Sequence, residues 1–123
     1  MMTTADLEAF FDKGWNRHDV DVLMTFMAED CVFESTAGPD RCGARHAGRE
    51  RVRQAFARVF ETFPNARFGE ARHFVADNRG VSEWRFTGTT AEGKTVDVNG
   101  CDLFTFVGDK IALKSSYLKT RTA

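Results

Sequence analysis

The run from Lys94 to Val107, KTVDVNGCDLFTFV, alternates along its whole length. That is the period of a strand with one face buried and the other wet. Alternate positions from Val96 read Val96, Val98, Gly100, Asp102, Phe104 and Phe106. Asp102 thus falls on the apolar face, between a glycine and two phenylalanines. An ionised carboxylate there costs several kcal/mol unless it is paired, or else it stays protonated. A buried acid is the one feature of the chain that demands a chemical explanation.

Helical and strand periods both occur within 123 residues, enough for one domain with its own core. A single α+β domain over residues 1–123 is therefore expected. A formal net charge of -1 with no basic run argues against nucleic acid as the main partner. Twelve phenylalanines and two tryptophans supply either a dense core or the wall of an apolar ligand pocket. No apolar run approaches the roughly 20 residues of a membrane helix. The first residues lack the basic and apolar regions of a signal peptide. A cytoplasmic protein with no membrane partner is the expectation. Cys31, Cys42 and Cys101 are odd in number, lack metal-ligand spacing, and read as reduced thiols. No ligand spacing or phosphate loop points to a metal or an organic cofactor.

In chain order, Thr3 or Thr4 caps a first helix whose stripe is Leu7, Phe10, Phe11, Gly14 and Trp15. Asn16 to Asp19 breaks it. Asp19 caps a second helix with Val20, Leu23, Met24 and Met27 on its buried side. His18, in the turn, reads as solvated or capping. Cys31 to Ser35 is a short strand. The loop from Thr36 to Ala47 is long enough to form a pocket lip, with His46 near its end. Gly48 opens a third helix with Val52, Ala55, Phe56, Val59, Phe60 and Phe63 on one face, and Pro64 stops it. Its arginines, interleaved with Glu50 and Glu61, read as a solvated face. After Pro64 come four strands in an antiparallel meander: Arg67–Ala76, Val81–Thr90, the central run, and Lys110–Thr120.

Seven stretches carry a resemblance. They are Trp15-Asn16-Arg17-His18-Asp19, Val32-Phe33-Glu34, Gly48-Arg49-Glu50-Arg51-Val52, Glu83-Trp84-Arg85, and Asp102 to Phe106 with Lys110-Ile111 and Ser116-Tyr117. On these and on its element order the chain resembles the nuclear transport factor 2-like superfamily, in the branch of SnoaL-like polyketide cyclases and ketosteroid isomerases. The resemblance implies a cystatin-like cone, three helices packed on a curved antiparallel sheet, with a pocket between them and a homodimer through the outer sheet face. It implies a pocket lined by Phe11, Trp15, Phe33, Phe56, Phe60, Trp84, Phe86, Asp102 and Phe104, to which alternation adds Lys114, Ser116 and Leu118. The implied partner is a small apolar molecule. The implied activity is that of an isomerase, cyclase or dehydratase; a non-catalytic ligand-binding or dimeric interaction module is the alternative, because one fold hosts all of these.

Ketosteroid isomerases use an Asp base with a tyrosine and a protonated Asp as oxyanion hole. By that resemblance Asp102 stands at the protonated-acid position, Ser35 at the base and Phe11 at the tyrosine. Two of the three groups are absent, which argues against steroid isomerisation by that route. Ser116 stands where epoxide hydrolysis in this fold uses an acid. Asp102 is then either a raised-pKa acid or the ion-pair partner of Lys114, and His46 and His73 are the other proton carriers. Glu34 is expected to face away from the pocket. Glu83 and Arg85 are expected in cross-strand or interface ion pairs.

Overall fold

The computed structural model describes residues 1–122. Thr3 begins the first helix with a reciprocal cap: its hydroxyl accepts from the Asp6 amide, and the Asp6 carboxylate accepts from Thr3. α1, Thr4–Ala9, then widens into a π-helical segment, Phe10–Trp15. The stripe expected from helical spacing is kept, since Leu7, Phe10, Phe11, Gly14 and Trp15 are all buried. Asp19 caps α2, Val20–Thr25, as its sequence indicates.

β1, Met27–Glu34, begins earlier than expected. Met27 leaves the helix because α2 stops at Thr25, and Ser35 falls outside the strand. The loop expected from Thr36 to Ala47 contains a short strand, β2, Arg45–Ala47, paired antiparallel with β1 so that His46 lies opposite Phe33. α3 follows as Arg49–Thr62. Its Arg49 is not on a solvated face: the guanidinium donates to the carbonyls of Met27 and Met24. The meander is β3, Arg67–Ala76, β4, Arg79–Thr89, β5, Thr95–Val107, and β6, Lys110–Leu118.

The sheet order is β2-β1-β6-β5-β4-β3. All neighbours are antiparallel except β1 and β6, which run parallel, so the sheet is mixed rather than wholly antiparallel. The helices cover one face, and the core between the layers holds Leu7, Phe10, Leu23, Val52, Phe104, Phe106 and Ile111. Two ties lock the helical layer to the start of β3. The Asn16 side chain donates to the Phe68 carbonyl at 2.9 Å and accepts from its amide at 2.8 Å. The His18 ring bonds the Ala66 carbonyl at 2.7 Å and stacks on Phe60, so it is a structural group rather than a solvated or capping one.

The β1–β6 pairing shifts register between Met27 and Val32, and two further bulges shape the meander. One lies in β3 between Gly69 and Arg72, with Glu70 at a φ of 53°. The other lies in β6: Phe106 faces Ile111 but Thr105 faces Leu113, leaving Ala112 as the extra residue. A bulge moves every later side chain of its strand to the opposite face.

Candidate functional site

β4 and β5 stay in register from Arg79–Thr105 to Thr89–Thr95. Strict alternation therefore carries Asp102 into the interior, where it is fully buried. On β6, Ile111 faces inward; without the Ala112 bulge, Leu113 and Ser115 would follow it. The bulge instead turns Lys114 and Ser116 inward, opposite Phe104 and Asp102.

The Lys114 ammonium donates to Asp102 Oδ1 at 3.0 Å and to Ser116 Oγ at 2.8 Å. Ser116 donates to the same carboxylate oxygen. Trp84 Nε1 donates to Asp102 Oδ2 at 3.1 Å. Three donors converge on the carboxyl group, so Asp102 serves as an acceptor, the ion-pair alternative of the two left open by the sequence. Gly100 makes room for this arrangement: a Cβ there would stand 2.5 Å from the Trp84 ring. The Lys114 nitrogen also sits 4.7 Å from the Phe33 ring centre and 4.9 Å from that of Trp15. Burial pulls the Lys114 amine below the usual lysine range, and the Asp102 charge opposes that pull.

A cavity of about 380 Å³ opens in front of this cluster. Its buried floor comprises Trp15, Phe33, Phe68, Trp84, Phe86, Lys114 and Ser116, and its exposed rim comprises Thr36, Arg58, Thr62 and Leu118. Of the expected lining, Trp15, Phe33, Trp84, Phe86, Ser116 and Leu118 are in the wall, with Lys114 and His46. Phe11, Phe56, Phe60 and Phe104 are not. They pack behind it: Phe56 and Phe60 on Trp15, Phe104 on Phe106, and Phe11 on Phe68 and His73. Asp102 is likewise no wall residue; Lys114 and Ser116 stand between it and the cavity.

His46 stacks on Phe33, and burial together with the nearby Arg58 charge pushes its pKa below the usual histidine value. Ser35 lines the cavity but spends its hydroxyl on the Ala37 and Ala44 carbonyls. His73 faces inward because of the β3 bulge and bonds Ser82 Oγ at 2.8 Å, away from the cavity wall. Glu34 lies opposite Ser115 and Arg45, outside the cavity wall. Arg85 pairs with Asp97 and Glu70 on the outer face, as expected, while Glu83 makes no ion pair among the described residues.

Sequence reasoning passed over Arg58, Thr62, Phe63, Phe68 and Val96. Ala55, Arg58, Val59 and Thr62 share the i, i+3, i+4, i+7 spacing of one helix face, a signal present in the chain. Phe68 lies just before the β3 bulge, where alternation is broken. Among the described residues, the buried Trp15 Nε1 has no hydrogen-bond partner, and no group of three or more His, Cys, Asp or Glu is placed to hold a metal ion. No described helix is long and apolar enough to cross a membrane.

The model of the SnoaL-like domain family matches residues 7–114. The chain belongs to the SnoaL-like family. No curated protein matches it in sequence. Among solved structures, it is similar to an NTF2-like protein of unknown function from Mesorhizobium loti, with 33% identity, coverage of 95% of this chain and 90% of that one, and a TM-score of 0.75. A candidate polyketide cyclase from Pseudomonas putida KT2440 superposes with a TM-score of 0.84 at 18% identity, covering 97% and 92% of the two chains. A protein with a cystatin-like fold from Xanthomonas campestris gives 0.82 at 16% identity, covering 98% and 92%. The last two likenesses show the fold.

Proposed function

We propose that this SnoaL-like domain binds a small, largely apolar carbonyl compound in the cavity and promotes loss of a proton next to the carbonyl. The observation that carries this reading is Lys114. It is a cation fixed by Asp102 at the floor of an apolar hollow. A ligand carbonyl placed there accepts a hydrogen bond from Lys114. His46, neutral near pH 7, takes the α-proton. The C–H electron pair moves into the new C=C bond, and Lys114 meets the charge that reaches oxygen. Reprotonation elsewhere isomerises the ligand, attack on a second carbonyl cyclises it, and loss of a β-hydroxyl dehydrates it. Asp102 acts through Lys114, as a positioning residue.

Deuterium exchange into the α-carbon of β-tetralone in D2O, followed by NMR, tests this. Exchange above the buffer rate, lost in His46→Gln, supports it. Shifts of the tryptophan indole signals with no exchange would leave a binding module without turnover.

A second reading has a surface of its own. Phe74, Val107 and Tyr117, each at least half exposed, lie on the outer sheet face with half-buried Val81 and Leu103. They favour pairing of two copies through that face. Light scattering on the parent chain and on Tyr117→Glu decides it: a monomer at micromolar concentration removes the reading.

A further inference from the structure

The ionisable groups in the cavity wall are His46, Arg58 and Lys114. None is acidic, although Asp and Glu outnumber Lys and Arg in the chain, 18 to 17. The three bases are not equivalent. Lys114 is neutralised by Asp102 at 3.0 Å. His46 is held neutral near pH 7 by burial and by its basic neighbour. That leaves Arg58 as the one uncompensated charge of the wall.

Of the two α3 arginines without a partner among the described residues, Arg51 and Arg58, only Arg58 lies in the cavity wall. Arg49 is spent on the Met27 and Met24 carbonyls, and Arg53 on Asp21. Arg58 has no hydrogen bond or ion pair among the described residues. It sits on the rim, on the same helix face as the cavity residues Ala55, Val59 and Thr62. A guanidinium presents a planar fork of donors that matches a carboxylate. Below it the floor is aromatic and accepts an apolar body. We infer that the ligand is a small carboxylate anion with an apolar body, its carboxylate paired with Arg58 at the rim and its body on the aromatic floor. The inference rests on the cavity being a binding site and narrows its ligand class to an acid that also bears a carbonyl.

Matched probes test it on the full chain: 2-naphthoate and 2-naphthamide, which differ in charge but hardly in shape. Binding is read from the indole signals of Trp15 and Trp84, both in the wall. The expected result is that naphthoate binds about fivefold tighter than the amide. Arg58→Gln removes that preference and leaves amide binding unchanged, and Arg58→Lys keeps part of it. Raising salt from 20 to 300 mM weakens the acid alone. Equal binding of acid and amide, or an equal loss of both in Arg58→Gln, overturns the carboxylate assignment and leaves the cavity reading standing. If neither probe shifts either tryptophan signal, the cavity reading falls and takes the carboxylate with it.

Discussion

The two inner strands of the meander and its two flanking strands behave differently. β4 and β5 pair without a slip, and every second residue of each faces the core. β3 and β6 each contain a bulge, and each changes its facing part-way. In the inner pair, Asp102 is forced inward by alternation alone. In the flanking strands, Lys114 and His73 are turned inward by an inserted residue. The buried ion pair is thus assembled from one side chain fixed by sequence period and one fixed by a local defect. If this comparison holds, the most damaging change is to that pair.

The largest effect is expected at the pair itself. Asp102→Ala leaves Lys114 buried and unpaired, and about 3–5 kcal/mol is expected to be lost. Lys114→Met leaves Asp102 with Ser116 and Trp84, and should be somewhat milder. The double variant Asp102→Leu, Lys114→Met replaces the pair with apolar side chains and is expected to fall within about 1 kcal/mol of the parent. If the double variant recovers stability but loses exchange into β-tetralone, the pair is present for the site rather than for the fold. If it recovers nothing, the pair is structural.

On the unbulged strand the expected effect is smaller. Gly100→Ala brings a methyl to 2.5 Å from both the Trp84 ring and the Tyr117 carbonyl oxygen. Overpacking of this kind costs about 1–3 kcal/mol. The Trp84 indole must turn, so its bond to Asp102 weakens and its N–H signal shifts upfield. An unchanged indole signal would mean that the ring yields without moving its nitrogen.

This contrast also explains what was legible in the chain. The helices follow from helical spacing, and the inward face of β5 and the burial of Asp102 follow from unbroken alternation, whereas β2 was read as loop. The inward turn of Lys114 depends on Ala112, an alanine with nothing in its chemistry to mark a bulge. The facing of His73 depends in the same way on the Gly69–Arg72 irregularity. Aromatic residues were readable as interior but not as wall or filler: Phe33 and Phe56 touch each other, yet only Phe33 reaches the cavity. Arg58 was hidden by its company, because four arginines on one helix read as a solvated face and only the third dimension shows which of them meets the hollow. The parallel pairing of β1 with β6 left no trace in local pattern, since it joins strands far apart in the chain.

The smallest expected effect tests the β3 bulge through pH. By turning His73 inward, the bulge puts the ring against Phe11 and Ser82. Burial lowers its pKa in the folded chain, and the charges of Glu8 and Asp12 offset only part of that. The unfolded chain therefore takes up a proton first as pH falls, from about 6.5 downward. More protons bound in the unfolded state means that stability rises with pH in that window and is lost as pH drops from about 6.5 toward the folded-state value. His46, pushed the same way, contributes a parallel slope. The two separate by mutation. His73→Gln should flatten part of the pH dependence measured by thermal unfolding between pH 5 and 7, and His46→Gln should flatten the rest. If His73 instead titrates by NMR at or above the ordinary histidine value, the ring is wet, and the bulge does not bury what it turns inward.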